Sequence, residues 1–151
     1  MALQVDFVKA RPAPVSARWL RALLQQAAEL PEMKARLPMK GANLTLKVSG
    51  DRELRRLNRT FLGEDHATDV LSFPSGEAGY LGDIVISWPA VERQAAEFGH
   101  PVNVEAALLA VHGLLHLLGW DHADAHSEAE MRSLALRALD SAGVHPAAKR
   151  L

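Results

Sequence analysis

The sequence contains no cysteine among its 151 residues. This absence excludes a disulfide framework, a thiolate metal site and a cysteine nucleophile. A metal ion in this protein would have to be bound by histidine, aspartate or glutamate side chains.

The chain also lacks an excess of charge of either sign, because 17 lysines and arginines face 18 aspartates and glutamates, for a net charge of −1. No global basic field indicates nucleic acid as a partner, so nucleic-acid binding would require a local basic patch. Hydrophobic residues make up 48% and charged residues 23% of the chain, which is ordinary for a globular protein.

Long hydrophobic runs are absent as well. Residues 106–120 form the most apolar stretch, which is too short to span a bilayer and contains two histidines. The N-terminal residues lack the basic start and apolar core of a signal peptide, and we find no internal repeat or linker. We therefore expect a cytoplasmic protein with one domain over residues 1–151 and a loose tail at 146–151.

Four strands are predicted from runs of apolar and β-branched residues, at 3–8, 43–48, 70–73 and 80–87. We expect Pro74 to end the third strand. Gly82 within the fourth indicates a bulge or a close backbone approach.

About five helices are predicted from capping residues and apolar stripes, at 16–28, 51–61, 89–99, 101–118 and 127–142. We expect Ser127 and Glu130 to cap the last of them. The helix at 101–118 is apolar almost all round, so it should be central and buried. The fold class is therefore α+β, with some parallel strand pairing because the chain begins strand–helix–strand.

Three of the seven histidines lie in the segment 112–122, His-Gly-Leu-Leu-His-Leu-Leu-Gly-Trp-Asp-His. His112 and His116 are four residues apart and share one face of the central helix. Gly119 can end that helix in the left-handed conformation, and a short turn can return His122 to the same point. Buried imidazoles need partners, so this spacing predicts a metal site with a coordination position left open.

The same spacing matches the long zincin pattern H-E-x-x-H-x-x-G-x-x-H except at one position. Gly113 replaces the glutamate that serves a metallopeptidase as general base. A zincin-like peptidase remains an alternative, and the missing carboxylate argues against it.

The segment 112–122 resembles the motif H-G-x-L-H-L-x-G-aromatic-D-H of the YbeY family of bacterial rRNA-maturation endoribonucleases. Two upstream stretches agree, Thr-Asp-Val-Leu-Ser-Phe-Pro at 68–74 and Gly-Asp-Ile-Val-Ile-Ser at 82–87. The resemblance runs from about Leu57 to about Gly143.

The resemblance implies a mixed four-stranded sheet and a zinc-dependent, single-strand-specific endoribonuclease. Its expected partners are the 16S rRNA precursor, whose 3′ end it would mature, and the small ribosomal subunit; no membrane or DNA is expected. The metal ligands, and with them the catalytic residues, would be His112, His116 and His122. To these we add Arg59 from this chain's own sequence as a further expected catalytic residue. Zinc on three neutral histidines keeps its +2 charge and lowers the pKa of bound water toward about 7. Nickel, cobalt or copper would also suit three histidines.

The arginines on the helix at 51–61 are either a solvated face or a contact for the RNA backbone. They are Arg52, Arg55, Arg56 and Arg59. The family pattern L-N-x-x-Tyr-Arg-x-x-Asp has arginine where this chain has Leu62 and tyrosine where it has Phe61. Arg59 lies about one helical turn earlier and is a candidate substitute for that arginine.

Several other polar residues are candidates for a role at the site. Asp121 could orient an imidazole or form a turn. Asp69 and Asp83 could act as an acid or base or hold loops, with the structural role favoured for Asp83. We expect His66, His100 and His145 to be exposed, and His126 could reach the cleft. A further alternative is a non-catalytic ribosome-assembly factor whose bound metal is structural.

Overall fold

The protein is an α+β structure in which a four-stranded mixed sheet carries helices on both faces, in a computed structural model that describes residues 3–150. The strands are β1 (Leu3–Lys9), β2 (Ala42–Ser49), β3 (Val70–Glu77) and β4 (Tyr80–Ser87). The helices found in these residues are α1 (Ala17–Ala27), α2 (Pro31–Lys34), α3 (Asp51–Leu62), α4 (Trp88–Phe98), α5 (Val102–Leu117) and α6 (Ala125–Ser141). A 3₁₀ turn follows at Ala148–Arg150.

The sheet has the strand order β1-β2-β4-β3. Strands β1 and β2 are parallel, as are β2 and β4, whereas β3 runs antiparallel to β4. The expected mixed four-stranded sheet is confirmed, and the strand–helix–strand start does form a parallel pair.

The two faces of the sheet differ because neighbouring residues on a strand point to opposite sides. Ile84 contacts α5 on one face, where the main core also includes α1 and α6. Val85 packs on the other face with Leu54 of α3 and Leu71 of β3. Most of the apolar burial therefore lies on the α5 side, and α3 covers a small separate cluster.

Helix α5 is buried along most of its length and packs between the sheet and helices α1, α4 and α6. Its predicted central position is confirmed. None of the helices in residues 3–150 combines the length and the apolar composition needed to cross a bilayer.

Gly82 forms both features that its position suggested. The β2–β4 register shifts there, since Tyr80 pairs with Asn43 whereas Gly82 pairs with the next residue, Leu44. Gly82 has φ 138°, and a Cβ atom on it would lie 2.1 Å from the Phe73 carbonyl oxygen.

Two predicted boundaries were wrong. Strand β3 continues past Pro74 to Glu77, because β3 is an edge strand and a proline there need not break a ladder hydrogen bond. Helix α6 begins two residues early, because the Asp124 side chain accepts a hydrogen bond from the Ser127 backbone N–H (2.8 Å) and caps the helix. The four-residue helix α2 lies in a stretch for which we made no clear prediction.

The prediction of a loose tail at 146–151 was also wrong for the residues that the structure describes. The backbone N–H of Ala147 donates to His100 Nδ1 (3.0 Å), and Arg150 pairs with the buried Glu105. These two contacts attach residues 147–150 to the start of α5. The last predicted tail residue, Leu151, lies outside the described residues.

Candidate metal centre

Two of the three motif histidines lie on α5 and the third is returned by the turn that follows it. His112 and His116 are one helical turn apart. Gly119 has φ +100°, which only glycine adopts readily, and directs the chain away from the helix axis. The turn is held by the Trp120 backbone N–H, which donates to the Leu115 carbonyl (3.0 Å).

The indole of Trp120 anchors this turn in the core. Trp120 is buried, and its Nε1–H donates to Glu130 of α6. The Arg36 guanidinium lies 3.5 Å from the Trp120 ring centroid and donates to the Leu118 carbonyl (3.2 Å). The position of His122 is therefore fixed by neighbours from α6 and from the segment after α2.

The three imidazoles converge through their Nε2 atoms. The Nε2 atom of His112 lies 3.0 Å from that of His116 and 3.1 Å from that of His122. All three ligand atoms lie within 4.8 Å of one another. Two nitrogens on one tetrahedral zinc ion are separated by about 3.3 Å, so the donor set fits a metal ion with small adjustments.

Burial keeps the inner two imidazoles neutral. The pKa of His112 falls to about 4, chiefly because burial disfavours the imidazolium, with repulsion from His116, His122 and Arg150 adding to it. Burial also lowers the pKa of His116, and His122 lowers it further. Neutral imidazole is the form that binds a metal ion, so these two ligands need lose no proton at physiological pH.

Gly113 is required by packing against the sheet. A Cβ atom there would lie 2.5 Å from Ile84 Cγ2 and 3.2 Å from Ser72 Oγ. The Ser72 hydroxyl donates to the Gly113 carbonyl (3.0 Å). A glutamate at this position would therefore meet β3 and β4 instead of a metal-bound water, so the geometry disfavours a zincin-type peptidase.

A cavity of about 440 Å³ opens beside the histidines. Its lining includes His112, His122 and the apolar side chains of Leu108 and Leu109 of α5. The other ionisable residues in the wall are Asp69, Glu128, Arg132 and Arg150. The cavity thus combines the histidine cluster with two carboxylates and two guanidinium groups.

The two aspartates singled out from the sequence have different surroundings. Asp69 lies in the cavity wall; its Oδ1 accepts from the Val70 N–H (2.8 Å) and its Oδ2 from Gln94 (3.3 Å). Asp83 lies on the sheet face opposite α5, where it accepts a hydrogen bond from the Tyr80 hydroxyl. The structural role favoured for Asp83 agrees with this contact, whereas Asp69 remains available to the site.

Asp121 forms a turn. Its Oδ1 accepts a hydrogen bond from the Ala123 backbone N–H (3.0 Å), and the residue is exposed. His126 is 90% exposed and lies 4.0 Å from Glu130, so it is not part of the histidine cluster. His66 and His145 are exposed as expected.

His100 contradicts the expectation of exposure, since its side chain is only 4% exposed. Its Nε2–H donates to Glu105 Oε1 (2.8 Å), and Nδ1 accepts from the tail, which fixes the neutral tautomer. Glu105 is fully buried, and we did not predict a role for it from the sequence. The sequence did contain one indication of this group. Glu105 is a lone glutamate in an apolar helix, and a buried carboxylate requires hydrogen-bonding or charged partners.

Arg59 and Leu62 lie at the C-terminal end of α3, on the other side of the sheet. Arg59 is exposed and lies 3.9 Å from Asp65. The Leu62 side chain is exposed too, and neither residue lines the histidine cavity. The structure therefore brings the three histidines together but leaves Arg59 outside their cavity.

Comparisons with known proteins agree on one family. A family model described as Endoribonuclease YbeY matches residues 8–143, which extends the resemblance through the first half of the chain. An Endoribonuclease YbeY of Gloeobacter violaceus is 51% identical over 111 residues, covering 67% of this chain and 57% of that protein. An Endoribonuclease YbeY of Synechococcus sp. is 38% identical over 155 residues, covering 95% of this chain and 97% of that protein.

A solved structure has the same architecture. The solution structure of TM1509 from Thermotoga maritima matches 92% of this chain and 89% of its own, with a TM-score of 0.63 and 25% sequence identity. In the relatives with the highest identities, the match spans only 55% to 60% of their length.

Proposed function

This chain belongs to the YbeY family, and on that premise we propose that it is a metal-dependent endoribonuclease specific for single-stranded RNA. We further propose zinc as the metal and the 3′ end of the 16S rRNA precursor as the substrate, in ribosome maturation and quality control. The small ribosomal subunit would be its partner in the cytoplasm, and one domain would carry the activity.

The observation that carries the proposal is the convergence of three Nε2 atoms at the edge of a cavity. His112, His116 and His122 would hold the ion. A divalent metal ion held there would supply an activated water and offset negative charge on phosphoryl oxygens.

The neutral ligands favour a phosphodiester as substrate. Three neutral imidazoles would leave the charge of a divalent ion uncompensated, and that charge would favour a phosphodiester over an uncharged peptide bond. The apolar side chains of Leu108 and Leu109 in the cavity lining lower the local dielectric constant and so strengthen these electrostatic interactions. Asp69 and Glu128 in the wall are the carboxylates available to accept a proton from a nucleophile.

Arg59 is proposed as an RNA contact outside the cavity. It shares an exposed helix face with Arg52, Arg55 and Arg56, of which Arg55 pairs with Asp65 and Arg56 with Glu53. Exposed ion pairs of this kind are weak, so the guanidinium groups can exchange partners for phosphate. This face would bind the RNA backbone electrostatically, in proportion to the phosphates it contacts.

The test is cleavage of single-stranded RNA by metal-replete protein, with a duplex of the same sequence for comparison. His116→Ala should abolish cleavage, whereas His126→Ala, which changes an exposed histidine outside the cluster, should retain it. If His116→Ala cleaves as well as the unmodified protein, the proposal is wrong. If the unmodified protein cleaves no RNA but His116→Ala impairs ribosome assembly in cells, the hypothesis of a non-catalytic assembly factor is favoured.

A further inference from the structure

Arg150 brings a guanidinium group to the wall of the histidine cavity from a distant part of the chain. It lines the cavity together with His112 and His122, and its charge contributes to the lowered pKa of His112. Its Nε donates to Glu105 Oε1 (3.0 Å) and its Nη2 to Glu105 Oε2 (2.9 Å). The guanidinium carbon also lies 4.8 Å from the centroid of the Phe98 ring.

Glu105 is a rigid anchor for this guanidinium. Its side chain is 0% exposed and also accepts hydrogen bonds from Gln94 (2.8 Å) and His100 (2.8 Å). Burial alone would raise the pKa of Glu105, but the hydrogen bonds from Arg150, His100 and Gln94 outweigh it and lower the pKa. Glu105 is therefore ionised at neutral pH and holds Arg150 through one edge of its planar group.

The remaining edge of the guanidinium is free to bind a ligand. Arginine has five N–H donors, of which Glu105 uses one on Nε and one on Nη2. Among residues 3–150, Nη1 has no hydrogen-bond partner within bonding geometry, and the side chain retains 20% exposure. A guanidinium that is held on one side by a carboxylate can bind a phosphate oxygen on the other.

Stability alone is a weak explanation for this arrangement. A buried ion pair often contributes no more than apolar residues of similar volume would. The family match ends at residue 143, so Arg150 lies beyond the residues that it covers. Leu62, where the family pattern has arginine, is outside the cavity.

We propose that Arg150 binds a phosphodiester oxygen of RNA in the histidine cavity and that Glu105 is its positioning residue. This inference rests on the proposed ribonuclease function. Arg150 would hold the phosphate near the histidine cluster and offset its negative charge, so the substrate would be bound from two sides.

The test measures binding of a short fluorescent single-stranded oligoribonucleotide over a range of salt concentrations, with melting temperatures recorded. The variant is Arg150→Gln with Glu105→Gln, which removes both charges and leaves no unpaired buried carboxylate. The matched control is Arg137→Gln with Glu32→Gln, which removes an arginine–glutamate pair between α6 and α2, outside the cavity. Both double variants keep the net charge.

The cavity variant should bind RNA about tenfold or more weakly at fixed salt, as expected for a lost charge-assisted hydrogen bond. Its slope of log affinity against log salt should fall by about 0.7, the value for one phosphate contact on a single strand. The control pair should change neither quantity. If the cavity variant, correctly folded, keeps both the affinity and the slope, Arg150 only tethers the tail and the inference is wrong.

A second variant covers the case in which the double substitution unfolds the protein. Arg150→Lys keeps the positive charge but loses the planar fork, so it should raise KM more than it lowers kcat. Unchanged KM in Arg150→Lys would overturn the inference. If the unmodified protein neither binds nor cleaves RNA, the proposed function is wrong and the inference is wrong with it. If the unmodified protein cleaves RNA but the Arg150 variants bind it as well as the unmodified protein does, only the inference is wrong.

Discussion

Gly113 affects both the packing of α5 on the sheet and the chemistry of the histidine site. It allows α5 to approach β4 closely enough that Ile84 and Ser72 contact its backbone, and this approach also positions His112 and His116 on the adjoining turns. The residue type at this position is thus explained by contact with the sheet, and the absence of a catalytic glutamate follows from it.

Replacing Gly113 with alanine should destabilise the protein, although alanine normally stabilises a helix interior by about 1 kcal/mol relative to glycine. The added methyl group would overlap Ile84, and overpacking of this kind costs about 1–3 kcal/mol. Urea denaturation measures the difference. Ser133→Ala at an exposed position inside α6 is the control, because there the substitution to alanine changes helix propensity without entering the core. An alanine at position 113 that stabilised the protein would contradict the close contact.

The lowered pKa of His112 makes a prediction for the metal-free protein. The unfolded state binds a proton near the ordinary pKa of 6.5, whereas the folded state does so only near 4. The unfolded state therefore holds more protons between these values, and the free energy of unfolding should fall as the pH is lowered from 6.5 to 4, by roughly 2–3 kcal/mol. Above pH 6.5 His112 is neutral in both states, so the full free energy of unfolding is retained there.

Urea denaturation at several pH values tests this dependence, with His112→Gln as the comparison. The variant should lose most of the change between pH 6.5 and 4, and His116 should account for part of what remains because its pKa is lowered as well. Identical pH profiles for the two proteins would show that His112 is not buried as described.

At the scale of elements, the start of α6 is set by Asp124 rather than by Ser127. The Asp124 carboxylate accepts the hydrogen bond that caps the helix, whereas Ser127 contributes its backbone N–H to that bond. Asp124→Ala should therefore cost about 1 kcal/mol of stability, whereas Ser127→Ala should cost much less. Thermal denaturation of the two variants distinguishes them, and the opposite order of stability would contradict this cap.

The elements that could be predicted were those whose apolar pattern agrees with their burial. The central position of α5 followed from its uniform apolar surface, and the strand at β4 with its irregularity at Gly82 followed from alternation and glycine. Predicted boundaries were wrong where the position of an element in the tertiary structure decides where it ends. Pro74 is tolerated only because β3 is an edge strand, and a sequence does not reveal which strand is at the edge.

The candidate site was predictable to the same extent. The three histidines are close in sequence, so helical geometry and one glycine sufficed to bring them together. The group formed by Glu105, His100 and Arg150 was not predicted, because its members meet through contacts between α5, the loop before it and the tail. Such long-range pairing has no periodic pattern in the sequence.

At the scale of the whole molecule, metal binding should be coupled to folding. The histidine cluster joins the central helix to the turn anchored by Trp120, and an unfolded chain would not hold the three imidazoles together. A metal bound only by the folded state stabilises it by about 2.7 kcal/mol when its concentration is a hundred times Kd. Chelation should lower the melting temperature, and an unchanged midpoint after verified metal removal would contradict this coupling.

The central claim is that His112, His116 and His122 together hold one metal ion. Elemental analysis of purified, metal-reconstituted protein tests this claim most directly, with His116→Ala and the exposed His126→Ala compared at equal protein concentration. We expect about one divalent ion, zinc or a similar metal, per chain in the unmodified protein and in His126→Ala, and almost none in His116→Ala. Metal content that is equal in all three proteins, or absent from the unmodified protein after reconstitution, would contradict the claim.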